Sequence, residues 1–171
     1  MMIQPLAVET PSTNAVPGDN LAACVSPQTV IRYHEPLAKR TTLRVGGPAD
    51  IYVEPASEPD LSGVLRFARE RAMPCFVLGR GSNLLVRDGG FRGIVICLAH
   101  SIFSRIDVEG HNLRCGAGAR LKAIANEARR HQFAGLEFLE GIPGSLGGGL
   151  RMNAGAMGAE LFDLDGHFFP R

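Results

Sequence analysis

The stretch VLGRGSNLLVRDGGFRGIVICL, Val77 to Leu98, sets apolar runs on either side of a glycine loop and a glycine turn. Together with the preceding Pro74-Cys75-Phe76, its start reads as a short buried strand. GRGSN then reads as a loop, Leu84-Leu85-Val86 as a further strand-like run, RDGGFRG as a turn, and IVICL as another strand. The loop offers consecutive backbone N–H groups, with Ser82 and Asn83 able to donate side-chain hydrogen bonds. That arrangement suits an anion, since each charge-assisted bond to a phosphate oxygen contributes roughly 1.5–3 kcal/mol. A Rossmann fingerprint is excluded, because the third glycine is missing and a strand-like run follows where a helix is needed. A P-loop is excluded too, for no Gly-Lys-Ser/Thr occurs in the chain. The plain alternative is a tight turn between two strands.

On the N-terminal side, TTLRVGGPADIYVEP (residues 41–55) is strand-like: Leu43 and Val45, a Gly46-Gly47-Pro48 break, then Ile51, Tyr52 and Val53. Ser57 and Asp60 fit a capping box, and Leu61, Val64, Leu65 and Ala68 recur at helical spacing to about Arg71. Residues 1 to about 30 mix Pro, Ser, Thr, Asn and Gly without apolar period and are expected to form a flexible extension. On the C-terminal side, two alternating segments flank Glu109-Gly110-His111-Asn112, which signals a hairpin. A second amphipathic helix follows on Leu121, Ile124, Ala125 and Ala128, to about His131. The sum is an α+β fold in which short helices cover a mostly β framework, without internal repeat.

The segment GIPGSLGGGLRMNAGAMG, Gly141 to Gly158, has seven glycines and one proline in eighteen residues, yet keeps Ile142, Leu146, Leu150 and two methionines. It is too apolar for a solvated linker and too glycine-rich for a good helix or strand. A third glycine motif, CGAGARL (Cys115–Leu121), lies between a strand and a helix, where a helix N-terminus can face a phosphate or carbonyl; a close-packed turn is the structural alternative. Taken together, the three motifs suit a dinucleotide. Its pyrophosphate matches GRGSN, and its flat ring needs close approach to a surface without Cβ atoms.

Composition narrows the remaining classes. An apolar content of 45% in 171 residues supports a sizeable core. With 18 basic and 17 acidic residues and no basic stripe, a nucleic-acid partner is not expected. The four cysteines, Cys24, Cys75, Cys97 and Cys115, are widely spaced, with no metal-ligand pattern; they read as reduced, buried thiols, and no metal is expected. The N-terminus lacks a signal-peptide pattern and no stretch is long enough to span a membrane, so a soluble, cytoplasmic protein without a membrane partner is expected.

Three blocks, TTLRVGGPADIYVEP, VLGRGSNLLVRDGGFRGIVICL and the run from Cys115 to Leu161, resemble in order and spacing the UDP-N-acetylenolpyruvoylglucosamine reductase family, over roughly residues 31 to 163. The resemblance implies an FAD-binding domain of the vanillyl-alcohol-oxidase type, two small α+β subdomains with non-covalent FAD between them. It implies that Gly79, Arg80, Gly81, Ser82 and Asn83 hold the FAD pyrophosphate, with Leu84, Gly116 and Ala117 also binding cofactor. Ile142, Pro143, Gly144, Ser145, Gly147 and Gly148, with Asn153, Gly155 and Ala156, would lie along the FAD near its flavin end. NADPH would give a hydride to the flavin, which would pass it to the enolpyruvyl carbon of a UDP-sugar in peptidoglycan synthesis.

The family's serine acid, and the arginine and glutamate that polarise the substrate carboxylate, are expected beyond the end of this chain. Arg151, Ser145 and Glu160 are not given those roles. After AELFDL a further strand is expected by resemblance, yet DGHFFPR follows at once; a truncated chain, with a tail at 164–171 and no substrate domain, is the expectation. Two other readings remain: a flavin-binding fragment that catalyses nothing alone, and an FAD-linked oxidase. The oxidase is disfavoured because GRGSN holds no histidine for a covalent flavin bond.

Overall fold

The structure is a computed structural model and describes residues 21–164. The expected extension up to residue 20 and the tail from residue 165 lie outside the described residues. The chain divides into two compact units, Met1–Ile102 and Phe103–Arg171.

In the first unit, alternation along apolar strands places Ile51, Val53, Ile94 and Ile96 on one sheet face and Tyr52 and Val95 on the other. The strands are β1 (Val30–Pro36), β2 (Pro48–Glu54), β3 (Cys75–Leu78) and β4 (Phe91–Cys97), in the order β1-β2-β4-β3. β1 pairs antiparallel with β2, while β2 and β3 both run parallel to β4. Parallel neighbours need a crossover. Helix α1 (Glu58–Glu70) follows β2 and packs Val64, Phe67 and Ala68 on the first face. The opposite face is covered by Leu37, from the 3-10 turn Leu37–Arg40 that follows β1, and by Leu84 and Val86 from the irregular segment joining β3 to β4.

That covering segment corrects one sequence reading, because Leu84-Leu85-Val86 forms no strand. Leu43 and Val45 also alternate like a strand but lie in a loop, half exposed at 50% and 45%. Arg44 at φ 55 breaks the extended path there, and β2 starts only at Pro48.

Residues 21–29 are part of the packed body. Leu21 is fully buried against α1 and the sheet. Asp60, buried in the first turn of α1, accepts hydrogen bonds from the Ser26 amide (2.6 Å), the Ser26 hydroxyl (2.9 Å) and the Ser57 hydroxyl (2.7 Å). Ser57 itself caps the helix by accepting from the Asp60 amide. The flexible extension expected over residues 1 to about 30 is therefore corrected for residues 21–29, which are packed chain.

In the second unit, β5 (Ile106–Glu109) and β6 (Asn112–Cys115) form the expected hairpin, paired Glu109 with Asn112. Gly110, at φ 63, takes the first central position of its two-residue turn. Helix α2 (Leu121–Arg130) buries Leu121, Ile124, Ala125 and Ala128, the first three packed with Phe138, Leu139 and Leu161. Helix α3 (Leu146–Met152) is a second correction, since LGGGLRM is helical despite three glycines. Tertiary packing overrides propensity: Gly149 is buried where a Cβ would stand 2.7 Å from Leu161 Cδ1 and 3.2 Å from Leu121 Cδ1. Asn153 ends α3 in the left-handed region, with the Ala154 amide donating to the Gly149 carbonyl and the Asn153 amide to Leu150, a Schellman closure. A small hairpin of β7 (Gly155–Ala156) and β8 (Ala159–Glu160) follows.

Candidate functional site: two glycine cradles

In the first unit GRGSN leaves the carboxyl end of β3, where Leu78 pairs with Cys97 of β4. The carboxyl end of a parallel strand is where open sheets of this kind receive ligands. Gly81 is buried at φ +64, and a Cβ on it would run into the Arg40 carbonyl. Its own carbonyl accepts from the Thr42 amide at 3.1 Å. The bareness of Gly81 thus has a reason inside the protein. Arg80 is exposed, and Leu84 packs into the covered sheet face.

Asn83 carries the clearest ligand signal: its Oδ1 is buried and has no hydrogen-bond partner among the described residues. A buried amide oxygen left without a donor costs about 1–3 kcal/mol. A bound group that donates a hydrogen bond removes that cost.

Beneath the loop lies a charged cluster that sequence reasoning missed. Arg40 Nη2 donates to Glu35 Oε1 at 2.8 Å and Nη1 to Glu54 Oε1 at 3.3 Å, with its guanidinium 4.4 Å from the Tyr52 ring centre. The Tyr52 hydroxyl donates to the same Glu54 oxygen at 2.8 Å. Burial, then the neighbouring Cys97 and Glu54, push the Tyr52 hydroxyl far up, so it stays a donor. Burial also raises the Cys97 thiol. The only sequence trace of this arrangement is the Gly46-Gly47 pair, which lets the segment after β1 lie against residues 86–88.

In the second unit the structure brings CGAGARL and GIPGSLGGG together. The Gly147 amide donates to the Ala117 carbonyl (2.8 Å), Leu146 to Ala119 (2.8 Å) and Leu121 to Gly144 (3.3 Å). Gly116 is bare because a Cβ would strike the Phe103 carbonyl, and Gly147 because one would sit 3.1 Å from Ala117 Cβ. Gly148 differs. Its Cβ would meet only Ser145 Oγ, at an ordinary 3.4 Å, so nothing described within the chain demands glycine there. Ser145 is buried, Ala117 is exposed, and Ile142 packs on the unit's core.

Asn153 uses its side chain internally, with Nδ2 donating to Glu160 (2.6 Å) and Oδ1 accepting from the Phe162 amide (2.9 Å). Gly155 and Ala156 form β7, next to an exposed turn at Met157 and Gly158. Arg151 is exposed.

The expected buried thiols need correction as well: Cys24 and Cys75 are exposed, Cys97 and Cys115 half-buried, and none of the four is in a disulfide. Burial, with Asp107 nearby, pushes the Cys115 thiol up to about 11. Among the described residues no group of three or more His, Cys, Asp or Glu could hold a metal ion. No described helix is long and apolar enough to cross a membrane.

A glycine loop at the carboxyl end of a parallel strand pair in a mixed sheet, with a second glycine-rich unit, points to a class of nucleotide-holding domains, and a family match names the class: the FAD binding domain family matches residues 49–166. The chain belongs to that family. Within it the similarity runs to UDP-N-acetylenolpyruvoylglucosamine reductases. The chain is 45% identical over 134 residues to the enzyme of Desulforamulus reducens, covering 78% of this chain and 44% of that relative. It is 49% identical over 131 residues to reductase 2 of Symbiobacterium thermophilum, covering 77% and 42%. The crystal structure of the Thermus caldophilus reductase superposes with a TM-score of 0.62 at 38% identity, covering 78% of this chain and 45% of that one. The chain thus spans less than half the length of the curated relatives it matches.

Proposed function

We propose that this chain is the FAD-holding part of a reductase that converts UDP-N-acetylenolpyruvoylglucosamine to UDP-N-acetylmuramate, with NADPH as reductant. The observation that carries the reading is the buried, unpartnered Asn83 Oδ1 within a glycine cradle, on a chain of the FAD binding domain family. FAD, when bound, supplies the hydride carrier that no side chain can.

The chain's own residues do the holding. The backbone N–H groups of residues 79–83 and the exposed Arg80 guanidinium offset the pyrophosphate charge. Asn83 Oδ1 accepts from a cofactor hydroxyl or N–H. Because burial keeps the Cys97 thiol protonated, no thiolate sits beside the phosphates to repel them. Gly148 leaves open the approach of a flat ring to the backbone of α3. Binding without a covalent bond fits a cradle that contains no histidine.

Gel filtration of the purified chain after addition of FAD, read by its visible spectrum, tests the proposal. A co-eluting flavin band, reduced when Asn83→Leu removes the acceptor, is the expected result. A colourless protein at FAD concentrations well above the micromolar range sinks it.

A further inference from the structure

We propose that Arg40 is the positioning residue of the phosphate cradle: its clamp on two carboxylates fixes the backbone of residues 40–42, against which Gly81 is seated. The inference rests on the proposed FAD reading for its cofactor readout only. The contacts of Arg40 leave little choice of role. Nε and Nη2 both donate to Glu35 Oε1, at 3.0 and 2.8 Å, and Nη1 reaches Glu54 at 3.3 Å. The guanidinium carbon also lies over the Tyr52 ring, 4.4 Å from its centre. Its charge is committed, so it is not a phosphate ligand.

Its backbone has the opposite character. The Arg40 carbonyl and the Thr41 Cα fill the space in which a Gly81 side chain would stand. The Thr42 amide donates to the Gly81 carbonyl, and Thr41 Oγ1 donates to the Val45 carbonyl at 3.1 Å, closing the turn. A shift of residue 40 is therefore carried into the middle of GRGSN by main chain on main chain, which cannot yield as a side-chain tip can.

Lysine cannot replace this clamp. An ammonium is a point charge that neither forks across Glu35 and Glu54 nor stacks on Tyr52 as a plane. Removing the cation altogether leaves two partly buried carboxylates, with side chains 11% and 24% exposed, close to an anion cradle. That adds repulsion to loss of position, and the two effects need separate variants.

The test uses the 171-residue chain as wild type, Arg40→Lys, and the combined Arg40→Met, Glu35→Gln, Glu54→Gln variant, which has no unpaired carboxylate. FAD affinity is measured by fluorescence titration, and amide exchange is followed at Thr42 and at Ile94, whose bond to the Pro74 carbonyl reports the sheet. Both variants should exchange faster at Thr42 with Ile94 still protected, and should bind FAD about tenfold or more weakly through lost preorganisation. Affinity restored in the neutral variant would make the effect electrostatic and overturn positioning. So would unchanged exchange at Thr42 in Arg40→Lys, or loss of Ile94 protection together with Thr42, the mark of a general stabiliser. If the wild type takes up no FAD, the functional reading falls, and Thr42 exchange alone decides the positioning role.

Discussion

The first unit's segment 79–90 and the second unit's helix α3 are both dense in glycine, but they are bare for different reasons. At Gly81 and Gly90 an added Cβ would meet main chain, the carbonyls of Arg40 and Pro48. At Gly149 it would meet only side chains, Leu161 Cδ1 at 2.7 Å and Leu121 Cδ1 at 3.2 Å, while Gly147 faces both the Cβ and the carbonyl of Ala117 at 3.1 and 3.2 Å. Main chain in a sheet-covering loop has nowhere to go, whereas a leucine tip can change rotamer. At Gly148 there is nothing to collide with at all. A glycine in a sequence reports close approach without saying of what, and this molecule holds all three cases within a few dozen residues.

Substitutions turn this contrast into a graded series, and Gly81→Val should have the largest effect. It forces a β-branched residue to φ +64 and drives its Cβ into the Arg40 carbonyl. Strain of about 1–3 kcal/mol and overpacking of similar size together give a loss of about 2–6 kcal/mol. Urea unfolding should show a lower midpoint, along with lost FAD binding. An unchanged midpoint with FAD lost would mean that the loop is bare for the ligand alone, and the contrast drawn above would fail.

Asp60→Ala should come next, at about 2–4 kcal/mol, because it orphans the Ser26 amide and removes both Ser26 hydrogen bonds to α1 and the Ser57 bond. Bonds from Ser57 and Ser26 hold this carboxyl at about 2, below its ordinary value near 3.9. A depressed carboxylate stabilises the fold fully above the unfolded value and progressively less as pH falls through the folded one. The wild type should therefore lose stability between about pH 4 and pH 2. Asp60→Ala should lose less over that window, and parallel pH profiles for the two proteins would rule out Asp60 as the source.

Regular elements of this fold were legible where one periodicity decided them. The strand runs Ile51-Tyr52-Val53 and IVICL, the helical spacing of Val64 and Ala68 or Leu121 and Ala128, and the hairpin glycine all reappear at their expected places. Elements decided by distant chain were not legible. Leu43 and Val45 alternate as strand residues do, yet Gly46 and Gly47 are committed to Val86 and Asp88, some forty residues away. LGGGLRM has poor helix propensity, and its helix depends on Ala117, Leu121 and Leu161. For the candidate site, GRGSN was readable from its own residues as a loop that follows a strand. Its proposed support by Arg40 was not, because the clamp joins β1, β2 and the 3-10 turn Leu37–Arg40 through side chains that no local spacing relates.

Gly149→Ala should cost less than the changes above. Its Cβ presses on Leu161 and Leu121 tips, and overpacking of 1–3 kcal/mol is partly offset by about 1 kcal/mol of helix propensity. A net loss near 1 kcal/mol in urea unfolding is expected. A loss as large as that of Gly81→Val would show that leucine tips yield no better than main chain.

Gly148→Ala should have the smallest effect on stability, and of the opposite sign. The new Cβ finds only Ser145 Oγ at 3.4 Å, and alanine in a helix gains up to about 1 kcal/mol over glycine. The midpoint should hold or rise slightly. If a cofactor ring lies against α3, the same methyl occupies its contact surface, and FAD affinity should fall while stability rises. Opposed changes of that kind cannot come from damaged packing, which lowers both. A variant at least as stable as wild type with undiminished FAD affinity would place the ring elsewhere and leave Gly148 without a ligand to explain it.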